Sequence, residues 1–168
     1  MGLRIVAHSN LRPVGLHTDN VWCDTEGHVV AFAYATFLHS FRGVPVLGTY
    51  SSRGEFINGG CYAFTDATVD HTFSAGSYKG YGEWRANLAQ QFNPETHPEL
   101  PFYDLIHFAD NEGCIGPESA ADLLADFQLY AHRYQPPVDD IFGWYPGLYA
   151  GFTRACELAA ESGLIRFR

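Results

Sequence analysis

The chain has 168 residues, of which 46% are hydrophobic and 17% are charged, a composition that supports a buried core and argues against disorder. Nineteen acidic residues against ten basic ones give a formal net charge of −9, which disfavours duplex nucleic acid as a partner because phosphate contacts need a basic face. No apolar run approaches the roughly 18 residues of a membrane span, so we predict no membrane partner.

The four cysteines are far apart in the sequence and show no paired spacing: Cys23, Cys61, Cys114 and Cys156. The N-terminal residues lack the long apolar stretch of a signal peptide. These features predict reduced thiols in a cytoplasmic protein. The length predicts one domain over residues 1–168.

The N-terminal half predicts strands and one long loop. Residues 3–8 alternate as a first strand does, and residues 29–37 favour a strand although their three alanines also suit a helix. Residues 43–60 are rich in glycine and serine, and we expect a surface loop that contains Arg53. The segments 61–65 and 72–75 predict the two strands of an antiparallel hairpin.

The most informative stretch runs from Phe73 to Arg85. It predicts the end of a strand, a glycine-punctuated loop and a helix that begins near Glu83. A loop that leads into a helix leaves backbone N–H groups unpaired and gathers partial positive charge, so it can hold an anion. The simpler alternative is a tight turn whose aromatic side chains pack.

The C-terminal half contains a second glycine loop, residues 109–117, in front of a helix that begins at Pro117. A last helix is predicted from residue 141 or 146 to Ser162, and residues 164–168 are predicted to form an edge strand. Together these elements predict the α+β class, with an antiparallel sheet packed against about three helices.

If the two glycine loops lie side by side, they offer amides and Arg for phosphates, tyrosines for a ring, and carboxylates for hydroxyl or amine groups. Nine of the ten basic residues are Arg, which suits bidentate contact with phosphate. The predicted ligand-binding residues are Arg53, Ser74, Ser77, Tyr78, Lys79, Tyr81, Trp84, Arg85, Asp110 and Glu112.

The leading hypothesis is a non-enzymatic binding protein for a small anionic, nucleotide-like ligand, with no catalytic residue, metal or cofactor. One alternative is a hydrolase of nucleotides or phosphodiesters that uses Asp110 and Glu112, with or without a divalent metal. Another is a module whose loops contact a protein. The sequence leaves self-association open, and no zinc spacing, Walker loop or nucleophile elbow occurs.

The chain resembles a family of uncharacterised small proteins of phages and bacterial genomes. The resemblance covers about half the chain. Its most specific parts are the motif from Ala75 to Arg85, A-G-S-Y-x-G-Y-x-x-W-R, and the motif from Phe108 to Pro117, F-x-D-x-E-G-x-I-G-P. The resemblance implies a phage-related context, in which binding could sequester a host defence signal, and it implies no established activity.

Overall fold

The structure, a computed structural model, describes residues 2–18, 21–23, 44–45, 60–107 and 114–168. Eight strands occur in these residues: β1 Arg4–His8, β2 Arg12–Thr18, β3 Val21–Cys23, β4 Val44–Pro45, β5 Gly60–Ala63, β6 Asp70–Ser74, β7 Cys114–Ile115 and β8 Leu164–Phe167. The helices of the same residues are α1 Tyr78–Phe92, α2 Tyr103–His107, α3 Pro117–Tyr130 and α4 Trp144–Ala159.

The first sheet has the strand order β6-β1-β8-β7, and every pair in it is antiparallel. Side chains alternate between its two faces because successive residues of a strand point to opposite sides. Ile5, Ala7 and Ile165 lie on the inner face, in the main hydrophobic core. Val6 and His8 lie on the opposite face, which we call the outer face.

The second sheet has the order β3-β2-β5-β4 and is also antiparallel. A smaller apolar cluster lies beside the outer face of the first sheet. It contains Leu11, Cys114 and Leu164, with Tyr62 and Phe64 packed against it. Leu11 precedes β2 and Phe64 follows β5, so this cluster lies where the chain passes between the sheets.

The helices bury apolar stripes at spacings of three and four against the inner face. In α1 the stripe is Tyr81, Trp84 and Leu88, all fully buried. The indole of Trp84 stacks on the ring of Phe152 in α4, with 5.0 Å between centroids. This aromatic contact fixes α1 against α4 over the sheet.

The α+β class, with an antiparallel sheet against helices, is confirmed. Three helices have 14 to 16 residues and α2 has five. The strand at residues 3–8 and the helix start at Pro117 are also confirmed. The single domain over 1–168 stays a prediction, and residues 29–37 lie outside the described part.

The predicted hairpin of residues 61–65 and 72–75 is wrong, because β5 and β6 belong to different sheets. The connection between them is held to Asn10 instead. Thr65 Oγ1 donates to the Asn10 carbonyl at 2.8 Å, and Asn10 Nδ2 donates to the Ala67 carbonyl at 3.2 Å. These bonds hold the connection against the segment between β1 and β2.

The predicted edge strand at the C-terminus is also wrong, since β8 lies between β1 and β7. Leu164 and Ile165 are both fully buried although they point to opposite faces. Burial on both faces is what a strand in the middle of a sheet requires.

Candidate functional site

Helix α1 begins at Tyr78, five residues earlier than predicted, so most of the predicted glycine loop is helical. Ser77 is the N-cap in an extended conformation, and its Oγ accepts a hydrogen bond from Gly80 N at 3.0 Å. The backbone N–H groups of Tyr78 and Lys79 have no hydrogen-bond partner within the described residues. They are the donors that a helix N-terminus offers to an anion.

The glycines of this stretch make room for an indole. Gly76 has φ of +74°, and a Cβ on Gly76 or on Gly80 would lie 2.9 Å from the ring of Trp144. A glycine can let another group approach the main chain closely. Here the ring of Trp144 is that group, so the indole covers the main chain at Gly76 and Gly80.

The rings of Tyr81 and Trp84 have no exposed surface. Both stack on Phe152, with centroid distances of 5.7 Å and 5.0 Å, and Trp84 Nε1 donates to Tyr134 Oη at 3.1 Å. A ring enclosed in the core cannot stack on a ligand. We therefore withdraw both residues from the candidate site.

Arg85 lies about 10 Å along the helix from Tyr78, at 1.5 Å per residue. Its guanidinium carbon is 4.8 Å from the centroid of the Tyr81 ring, and Nη1 approaches the Ile106 carbonyl at 3.5 Å. These contacts bind Arg85 between α1 and α2. They place it away from the amides at the helix N-terminus.

Four predicted residues remain together at the junction of β6 and α1. Ser74, Ser77, Tyr78 and Lys79 are all exposed, and Tyr78 retains 44% of its surface. Ser74 Oγ accepts from Gly76 N at 3.2 Å, which leaves its O–H available as a donor. Lys79 Nζ is 3.6 Å from Glu83 Oε1, a surface pair with little energetic weight. We call this set the β6–α1 junction.

The remaining predicted ligand-binding residues belong to other segments of the chain. Arg53, Asp110 and Glu112 lie outside the described residues. The combined site required the two glycine loops to lie side by side, but the N-termini of α1 and α3 follow β6 and β7, which are the opposite edges of the first sheet. The antiparallel pairings also make β6 and β7 run in opposite directions. The two helix starts therefore lie at opposite edges and opposite ends of the sheet.

A buried histidine on the outer face was not anticipated from the sequence. His8 Nδ1 lies 2.7 Å from Asp70 Oδ1, and the side chains are 6% and 59% exposed. His8 Nε2 is buried and has no partner within the described residues. The ring packs near Phe64, with 5.0 Å between centroids. The strand pairing of His8 with Asp70 creates this contact, and 62 residues separate the two in sequence.

A cleft of about 430 Å³ opens between α3 and the segment before α2. Four carboxylates line it: Glu99, Asp104, Asp122 and Asp126. Burial raises the pKa of Asp126 above its ordinary value, and the nearby Asp122 and Asp104 raise it further, although the hydrogen bond from Phe102 N opposes the shift. The excess of negative charge makes this cleft unsuitable for the anionic ligand that we predicted.

The described residues hold no group of three or more His, Cys, Asp and Glu side chains arranged to bind a metal ion. None of the helices in those residues is both long and apolar enough to cross a bilayer. Cys114 and Cys156 are both buried, and burial raises the pKa of the Cys156 thiol. Such a thiol is a poor nucleophile.

Comparisons with protein-family models, with curated proteins and with solved structures give no match. The resemblance of the two loop motifs to small phage and bacterial proteins therefore stays a prediction.

Proposed function

We propose that the chain holds a small anionic, nucleotide-like ligand at the β6–α1 junction without transforming it. The observation that carries the proposal is the pair of unpartnered N–H groups of Tyr78 and Lys79 at the start of a 15-residue helix. Partial positive charge at such a helix end attracts a phosphate or carboxylate. The exposed ring of Tyr78 lies at the same point and offers a face to a base.

The hydroxyl groups at the junction support holding rather than chemistry. Ser74 Oγ and Ser77 Oγ each accept from a backbone N–H, and neither is hydrogen-bonded to a histidine or a carboxylate in the described part of the chain. A serine nucleophile needs a base within hydrogen-bond reach. Ser77 is instead occupied as the helix cap.

Two substitutions of Tyr78 separate the amide from the ring. Tyr78→Ala removes the ring and keeps the N–H, whereas Tyr78→Pro removes both. Proline is tolerated at the first helical position, and Ser77 before it already has the extended conformation that proline demands, with ψ of 158°. Both variants should therefore keep the fold.

The experiment titrates orthophosphate and AMP into wild type and both variants, followed by ¹⁵N amide shifts and calorimetry. We expect phosphate to shift the amides of Tyr78 and Lys79. Tyr78→Ala should weaken AMP by roughly 5- to 150-fold, the value of one base–aromatic stack, and leave phosphate binding unchanged. Tyr78→Pro should weaken both ligands. Equal binding of phosphate by the alanine and proline variants would show that the Tyr78 amide is not part of the site.

The hydrolase alternative depends on Asp110 and Glu112, and nothing in the described residues favours it. The interaction alternative has one observation in its favour. Val138, Ile141 and Phe142, in the connection between α3 and α4, are each at least 80% exposed. If the interaction alternative is correct, serine substitutions at these three positions should abolish binding to an identified protein partner. The same substitutions should leave AMP binding intact.

A further inference from the structure

Three arginines share the outer face of the first sheet. The backbones of Arg4 and Arg168 form two hydrogen bonds with each other. Arg4 N donates to the Arg168 carbonyl at 2.7 Å, and Arg168 N donates to the Arg4 carbonyl at 2.8 Å. Directly paired residues of antiparallel strands project their side chains from one face. Arg166 lies two residues before Arg168 and pairs with Val6, so it projects from the same face. We call Arg4, Arg166 and Arg168 the arginine strip.

The strip concentrates positive charge on a chain with a formal net charge of −9 and only ten basic residues. In the residues that the structure describes, none of the three guanidinium groups is within an ion pair. Arg166 is partly buried. Burial is the main cause that lowers the pKa of the Arg166 guanidinium, and the nearby positive charge of Arg168 lowers that pKa further. Arg4 and Arg168 are exposed, so the cost of desolvation falls on Arg166, and an anion beside it would offset that cost.

The strip continues into the β6–α1 junction through Ser74. Ser74 pairs with Arg4 across β1 and β6, so the two side chains are neighbours on the outer face. Ser77, the cap of α1, follows three residues later, which places its Cα within about 11 Å of the Ser74 Cα. The arginine strip and the N-terminus of α1 therefore lie at the same end of the first sheet.

We propose that the arginine strip binds a second anionic group of the ligand, so that the ligand class is a linear polyphosphate, such as a nucleoside diphosphate or triphosphate. This inference rests on the proposed function, because the junction takes one end of the same ligand. Guanidinium groups match phosphate in a planar, bidentate geometry. A monophosphate or single carboxylate engages one group of donors only.

The test compares orthophosphate, pyrophosphate and tripolyphosphate by calorimetry at low and physiological salt. The test variant is Arg4→Gln with Arg168→Gln, which keeps both backbone bonds of the pair. The matched control is Arg133→Gln with Arg154→Gln, which removes the same charge from exposed positions that contact Tyr130 and Glu157. Wild type and control should bind tripolyphosphate at least ten-fold more tightly than orthophosphate.

The test variant should lose that preference and keep its affinity for orthophosphate. If wild type binds the three phosphates equally, or if the control loses the preference as fully as the test variant, the strip is not the second site. If orthophosphate shifts the amide signals of Tyr78 and Lys79 but tripolyphosphate binds no more tightly than orthophosphate, the strip inference is overturned and the proposed function stands. Loss of tripolyphosphate binding in the arginine variant, with no effect of Tyr78→Pro, would overturn the junction and leave the strip as an anion site.

Discussion

His8 and Asp70 form a hydrogen-bonded pair across β1 and β6, with 2.7 Å between Nδ1 of the histidine and Oδ1 of the aspartate. The histidine side chain is nearly buried, whereas the aspartate is 59% exposed. The exposed carboxylate of Asp70 therefore accepts a hydrogen bond from one nitrogen of the buried His8 ring. It also fastens β6, an edge strand, to the interior of the sheet.

We predict that Asp70→Ala lowers the free energy of unfolding by about 1 kcal/mol, because His8 Nδ1 loses its partner while water can replace part of the bond. Asp70→Asn keeps an acceptor oxygen and should cost less. Urea unfolding of both variants measures the difference. A loss in Asp70→Asn as large as in Asp70→Ala would show that charge, and not the hydrogen bond, is what matters.

Gly80 and Gly82 provide a comparison within one helix. A Cβ on Gly80 would lie 2.9 Å from the Trp144 ring, whereas a Cβ on Gly82 meets nothing within 4 Å. Alanine is favoured over glycine in a helix by about 1 kcal/mol, so Gly82→Ala should stabilise the protein by up to that amount.

In Gly80→Ala the same gain is opposed by overpacking against the indole, which typically costs about 1–3 kcal/mol. We therefore expect Gly80→Ala to be less stable than Gly82→Ala by that margin in thermal unfolding. Equal stabilities would mean that Trp144 moves aside without cost.

Asp126 combines a structural hydrogen bond with an unfavourable charge. Its Oδ2 accepts a hydrogen bond from Phe102 N at 2.7 Å. Phe102 has a φ of +60°. Asp126→Asn keeps the acceptor and removes the charge, so it should be at least as stable as wild type at pH 7. Asp126→Ala leaves the Phe102 N–H without this acceptor and should cost about 1–3 kcal/mol.

The pH dependence of this pair follows from the raised pKa of Asp126. The folded protein binds the proton more tightly than the unfolded chain does, so this contribution to stability is present at low pH and is lost as pH rises through the folded pKa. The advantage of Asp126→Asn over wild type should therefore shrink on acidification. An advantage that grows towards low pH would contradict the raised pKa.

The sequence was sufficient wherever the signal was local. The alternation of residues 3–8, the Pro117 helix start and the apolar spacing of α3 all depend on neighbours within a few residues. The start of α1 was predicted five residues too late, although Tyr81 precedes Trp84 and Leu88 at helical spacing. Gly80 and Gly82 were assigned to a loop, although the aromatic burial at Tyr81 and Trp84 offsets their poor helix propensity.

What the sequence could not show depends on strand pairing over long separations. The His8–Asp70 contact needs β1 beside β6, and the arginine strip needs β1 beside β8. Hydrophobic alternation predicts that a strand exists and which face is apolar, but it does not say which strand is its neighbour. The separation of the helix starts of α1 and α3 has the same origin.

The position of β8 between β1 and β7 has a consequence during protein synthesis. Residues 4–8 leave the ribosome early, but β1 gains its partner on one side only after residues 164–167 have been translated. Contacts of such high sequence separation slow folding, because the entropy of closing the loop is lost before the contacts form. The backbone groups of β1 on that side therefore stay without their strand partner until residues 164–167 have been made.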